Sequence, residues 1–295
     1  LSRRSNPLQI LSACPKPVSC TRLRFPDTCR AEEMRLHRNR LTVYIAAISS
    51  LGLLSPGCLS AEGDVGKWGA LPDMKLALKF TITSPSGDAV TGESAILFSG
   101  KYALSTLVDQ SDPEKPNWSS AVLYDLERMA WHDNDRKAWI DMASCRAWEK
   151  ASIEKTRESL ASSRDAEVNA FVEAAIDPRF NVQLNQNGTL TISNSHLTYS
   201  IIPDEDFALE QTERYFAYDR LNAFHKALTE KQLPPTAQLE VDNILLQKQV
   251  FPKQMNGRML TRDGYVRFKT EIKSASFQPD DANRVALAVE NVQKQ

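Results

Sequence analysis

Met34 to Ala61 (MRLHRNRLTVYIAAISSLGLLSPGCLSA) constrains this chain more than any other stretch, because it decides how much sequence is left to build a core. Arg35, Arg38 and Arg40 form a basic head, Leu41 to Leu54 is a 14-residue run without a charge, and small residues follow. That is the layout of a secretory signal peptide. The apolar run is shorter than the ~20 residues of a membrane-spanning helix, and Pro56 and Gly57 break it. Cleavage is expected near Ala61. Cys58, preceded by Gly57, offers a second outcome, lipid attachment in the manner of a bacterial lipoprotein, although Ser55 stands where such signals usually place Leu. Residues 1–33 combine Arg and Pro without a sustained period and are expected to be leader or upstream sequence, not folded. Residues 34–61 are then the signal peptide, and 62–295 a single domain, large enough to bury its own core.

This division sorts charge and cysteine. Residues 62–295 keep 27 of the 36 Lys/Arg and 34 of the 37 Asp/Glu, a formal net of −7. An acidic domain without a basic block argues against nucleic acid as the main partner. Of five cysteines only Cys145 belongs to the domain, so neither a disulfide framework nor a thiolate metal site is expected. The expected location is exported: periplasmic or secreted, with a lipid anchor if Cys58 is modified, and with no transmembrane span in the mature chain.

The hydrophobic period within 62–295 is mostly two. Leu76, Leu78, Phe80 and Ile82 alternate with Lys75, Ala77, Lys79 and Thr81, which predicts a strand with one wet face. Further strands are predicted at Glu93 to Phe98 and Lys101 to Val108, after turn chemistry at Ser84 to Asp88 and before a loop with Pro113 and Pro116. Ala121 to Met142 reads as three short strands with turns at Asp125-Leu-Glu and Asp133-Asn-Asp. Residues 145–177 switch to a helical period, and Ser162 to Asp165 predicts two helices rather than one. Strands return over Phe180 to Ile202, with Asn187-Gly188 predicting a type I′ hairpin. Pro203 with Asp204, Glu205 and Asp206 reads as the opening of a helix whose stripe is Phe207, Tyr215, Tyr218, Leu221, Phe224 and Leu228. A short helix over Ala237 to Gln249, a hairpin turning at Asp263-Gly264 and a helix opening at Pro279 complete the chain.

Motifs for chemistry are sparse. There is no G-x-S-x-G elbow, Walker loop, G-x-G-x-x-G or HExxH. His132 with Asp133, Asn134 and Asp135 gathers acid/base and ligand types, but on a predicted hairpin tip, where turn geometry asks for Asp and Asn. No catalytic residue, metal site or cofactor is assigned, and the chain is not expected to be an enzyme. Trp131, Trp139 and Trp148, flanked by Met129 and Met142 and preceded by Trp118, are more informative. They read either as core or as the lining of a cavity for an apolar ligand, since Trp and Met dominate adaptable pockets.

The order of elements predicts an α+β fold: a curved antiparallel β-meander, half-open and barrel-like, with helices covering one face. Through MKLALKFTI, AVLYDLERMAWHDNDRKAWIDM and YVRFKTEIKSASF it resembles the periplasmic lipoprotein carriers and their lipoprotein-sorting relatives. It is also similar to uncharacterised exported bacterial proteins through YFAYDRLNAFHKAL and LPPTAQLEV. The first resemblance implies a sheet that holds acyl chains under helices. The expected partners are then a lipid or an acylated protein; an envelope scaffold with a filled core and an envelope-protein partner is the alternative. No functional residue carries over, and the helices near Ala237 and after Pro279 depart from the carrier layout.

Overall fold

The computed structural model describes residues 67–109, 117–230, 232–261 and 263–294, by backbone alone for 107–109 and 117–120. The signal-like stretch, Cys58, residues 1–33 and the Pro113/Pro116 loop lie outside the described residues.

Eleven strands among the described residues form one antiparallel sheet in the order β6-β5-β4-β3-β2-β1-β11-β10-β9-β8-β7. Two meanders grow outward from a central seam. β1 (Met74–Thr83) leads through β2 (Ala89–Ser99), β3 (Tyr102–Asp109), β4 (Asn117–Asp125), β5 (Ala130–Asp133) and β6 (Ala138–Asp141) to one edge. β7 (Asn181–Leu184), β8 (Leu190–Ser193), β9 (Leu197–Asp204), β10 (Phe251–Thr261) and β11 (Gly264–Ala275) run inward from the other. β1 and β11 join them from Lys75 opposite Ala275 to Thr83 opposite Arg267. The edge strands β6 and β7 do not pair, so the sheet stays open.

Five helices are placed between or after these strands: α1 (Met142–Ser162), α2 (Ala166–Ile176), α3 (Leu209–Thr229), α4 (Thr236–Gln247) and α5 (Pro279–Gln293). The inner face of the sheet curves around α3. Trp131 on β5 and Ile192 on β8, from opposite halves of the sheet, belong with Tyr215, Tyr218, Leu221 and Phe224 to one buried cluster. Tyr218 meets Phe98 and Tyr124 edge-on, with ring centroids 5.8 and 5.0 Å away. Phe207, just before α3, stacks on Phe251 at 3.7 Å. α4 packs behind α3, and the Thr236 hydroxyl at its start donates to the Ala175 carbonyl of α2 at 2.6 Å. α5 lies on the outer face, where Val285 closes over Leu97, Leu104 and Leu123.

The predicted punctuation holds at most turns. Asp125 Oδ1 accepts from the backbone N–H groups of Glu127 and Arg128, and Asp133 Oδ1 from those of Asp135 and Arg136. Asp165 caps α2 by accepting from the Val168 N–H at 3.1 Å, so the break at Ser162 to Asp165 is real. Two expectations are corrected. The Asn187-Gly188 hairpin forms, but Gly188 alone has positive φ there, and its N–H bonds the Asn185 carbonyl at 3.0 Å. This is a type I turn closed by a left-handed glycine, which needs one positive-φ residue where type I′ needs two. The acids after Pro203 do not open α3 either: β9 continues to Asp204, and the helix starts at Leu209 with Glu210 as the acid of its first turn. β9 keeps its ladder through Pro203 because β10 follows it, pairing Pro252 with Pro203.

Candidate functional site on the inner face

Alternation places Leu76, Leu78, Phe80 and Ile82 of β1 on the inner face, where the register sets Leu78 opposite Ile272, Phe80 opposite Thr270 and Ile82 opposite Phe268 of β11. β10 adds Met255, Gly257 and Met259. Toward the Met74 end, α3 buries this floor: Leu76, Ile96 and Phe98 are fully inaccessible. Toward the other end, Val266, Met259 and Leu197 are buried as well. Between the two, Leu78, Phe80, Phe268 and Met255 remain only half-buried. Four apolar side chains on three adjacent strands thus form a shallow trough across the seam.

Two glycines shape its floor. A Cβ at Gly92 would overlap the Phe80 ring, and one at Gly257 would overlap the Phe268 ring. Each ring therefore lies across the backbone of the neighbouring strand instead of standing up from the sheet. Tyr199 on β9 meets Phe268 edge-on at 5.6 Å and Phe180 at 5.9 Å, continuing the aromatic surface toward β8.

The sequence-predicted cavity residues are only partly brought together. Trp131 is 1% exposed, wedged against His225 of α3 at 5.8 Å. Met129, Met142 and Trp148 pack half-buried around the same cluster. Trp139 lies on the opposite side of the sheet, against His132 at 5.6 Å and under the Arg128 guanidinium at 5.1 Å, because it pairs with His132 rather than Trp131. The Trp118 side chain lies outside the described residues. Trp131 is too deeply packed to line an open cavity, whereas the trough residues of β1, β10 and β11 are accessible. A separate recess of about 420 Å³ opens between the end of α2 and β8, lined by polar groups that include Glu173, Asp177, Arg179 and Asn194, and touches none of the Trp or Met candidates.

The titratable groups nearby have structural partners. His132 is buried with Nδ1 3.0 Å from Asn134 Oδ1, within the turn it introduces. Burial pulls His225 down to about 4, which keeps its imidazole neutral beside Tyr124. Burial pushes the Cys145 thiol up to about 12; its Sγ donates to the Asp141 carbonyl at 3.0 Å and is no nucleophile in that state. Between α3 and α4, Asp219 accepts from Gln238, and Arg220 donates to Asn243 at 2.9 Å. Burial raises both Asp219 and Asp242, whose charges also repel one another. Among the described residues no three His, Cys, Asp or Glu side chains converge as metal ligands.

Fold and face together define an α+β open-sheet protein with an apolar trough on its helix-covered side. No protein-family model matches the chain. No curated protein matches it either. Among solved structures it is matched to a LolA superfamily protein from Nitrosomonas europaea, at 9% identity over 73% of this chain and 92% of that one, with a TM-score of 0.28. A likeness at that score carries no argument about function.

Proposed function

We propose that this is an exported cell-envelope protein that holds a lipid or another apolar ligand against the inner face of its sheet. The observation that carries the reading is the row Leu78, Phe80, Met255 and Phe268, half-buried in the middle of a face whose two ends are closed. Full burial of a large apolar side chain is worth ~1.5–3 kcal/mol relative to exposure, and a bound apolar chain would recover the part that these half-buried residues forgo. Flat rings over Gly92 and Gly257 keep the floor low enough to receive one. Export is proposed from the Met34 to Ala61 stretch, and no described helix is long and apolar enough to cross a membrane. The protein is read as a binder, not a catalyst.

Titration with a fluorescent fatty acid tests this directly. Saturable binding is expected, weakened tenfold or more by Met255→Asp through the cost of burying a carboxylate. Native mass spectrometry should find a co-purified lipid; protein that is repeatedly empty and does not bind the probe overturns the reading. Intact mass of the exported protein distinguishes cleavage near Ala61 from acylation at Cys58.

A second reading, an envelope scaffold working through its outer surface, is favoured by the filled interior beneath α3, where Phe98, Tyr124 and Trp131 are at most 1% exposed. A protein that binds no fatty acid but is captured by a specific envelope partner would establish it.

A further inference from the structure

α5 covers the outer face over β2, β3 and β4, but its hydrophobic contacts stop there. The outer face of β1, β11 and β10 is exposed and carries Lys79, Arg258, Arg267, Lys269 and Lys273. Apart from Lys75, which pairs with Asp281 of α5 at 3.0 Å, five cations stand against two acids, Glu93 of the neighbouring β2 and Glu271 of β11, on a domain whose overall formal charge is negative. The acids are already engaged: Glu93 pairs with Lys79 at 3.5 Å, and Glu271 with Lys269 and, at 3.9 Å, with Lys273.

The register makes this more than a solvated face. Arg258 and Arg267 are direct cross-strand partners. Like charges directly opposite destabilise a sheet, because their Cβ atoms are only ~4.5–5.5 Å apart. Among the described residues neither guanidinium has an ion-pair partner; Arg258 lies over the Tyr265 ring at 5.4 Å. Tyr265 is itself 43% exposed, an aromatic ring presented to solvent beside two uncompensated cations. A surface of phosphate groups would relieve that repulsion, and the amphipathic Tyr ring suits the headgroup layer of a bilayer.

We infer that the Arg258–Arg267 pair, with Tyr265 and the lysines of β1 and β11, is a docking surface for an anionic lipid bilayer. The inference is independent of whether the inner trough binds a ligand, since the two surfaces lie on opposite faces of the sheet.

The test is co-sedimentation of the full chain with vesicles of phosphatidylcholine alone or mixed with phosphatidylglycerol. The basic residues before Leu41 are common to every variant, so the reading is the ratio to the parent chain. Arg258→Gln/Arg267→Gln should weaken binding to the anionic vesicles roughly thirtyfold at low salt. Arg258→Lys/Arg267→Lys should retain it, and added salt should narrow the difference. The Gln pair removes a repulsion, so its thermal midpoint should be unchanged or higher. Lys79→Gln/Lys269→Gln tests the patch with the arginines intact and should also weaken binding. Unchanged binding in both double variants, or an equal loss on phosphatidylcholine vesicles, overturns the proposal. Vesicle binding that survives in the Gln pair while polyglutamate binding is lost assigns the face to an acidic protein and overturns it too.

Discussion

At Gly257 the backbone has no room for a side chain, because the Phe268 ring occupies the position a Cβ would take. Gly257→Ala must lift that ring off β10 and toward the trough, and Tyr199, edge-on at 5.6 Å, limits how far it can swing. The expected cost is roughly 1–3 kcal/mol, the usual range for overpacking, seen as a lower midpoint in urea unfolding. Fatty-acid affinity should fall in the same variant, since the ring then stands in the floor of the site. Arg214 is the opposite case, a large polar side chain 1% exposed. Its Nη1 donates to the Pro72 carbonyl at 2.9 Å and its Nη2 to that of Gly100, with the guanidinium over the Phe98 ring at 5.2 Å. One residue of α3 thereby fixes both the approach to β1 and the β2–β3 turn. Burial lowers its pKa only to about 10, so it stays charged at neutral pH. Arg214→Met keeps the volume but loses both bonds, and should cost roughly 1–3 kcal/mol by thermal or urea unfolding. Lysine should rescue it poorly, because one ammonium on a flexible stem does not reproduce the planar fork.

Helix contacts make stability depend on pH in a direction opposite to that of an ordinary salt-bridged protein. Glu149 of α1 is buried, and desolvation pushes it up to about 7 from an ordinary 4.5. Its folded pKa lies above its unfolded one, so its contribution is fully present below about pH 4.5 and is lost as pH rises through about 7. The loss is on the order of 3 kcal/mol. Glu149→Gln should flatten that part of the stability profile, as followed by thermal midpoints from acid to neutral pH. Asp219 and Asp242 act in the same sense at the α3–α4 contact, so Asp242→Asn should raise the midpoint at neutral pH more than in acid. None of this was legible in the sequence. Asp219 and Asp242 look like solvated charges until α4 packs behind α3, a tertiary event that no local period encodes. The strands were far more readable, because Leu76 to Ile82 alternates against solvent and Val266 to Ile272 does so with Thr270 alone polar on the inner side. β10 was legible only as the first arm of the Asp263-Gly264 hairpin: Gly257 occupies an inner position where a large side chain would have completed the pattern. Half of the trough was therefore visible in Phe80 and Phe268, while Met255 became part of it only through the register with Thr270. The Trp and Met candidates divide for a related reason: pairing His132 with Trp139 turns Trp139 away from Trp131, while Met129, Met142 and Trp148 stay with Trp131.

The described residues form two meanders with one interior. The β1–β11 seam joins residues nearly the full described length apart, and the inner cluster crosses it from Leu76 to Ile272 without interruption. Neither half can bury its inner face alone, since α3 lies in the second meander yet covers Phe98, Tyr124 and Trp131 of the first. The halves should consequently unfold together, despite a strand order that would let each form its own local pairs. All five tryptophans, Trp68, Trp118, Trp131, Trp139 and Trp148, belong to the stretch before α2, so indole fluorescence reports the first half and far-UV circular dichroism both. Coincident urea transitions by the two probes are expected, as for a two-state domain. A fluorescence transition separated from the dichroism transition would mean that the seam is a joint between independent units. Ile272→Pro, which removes a backbone donor from β11, a strand paired on both sides, sharpens the comparison: both transitions should move to lower urea together.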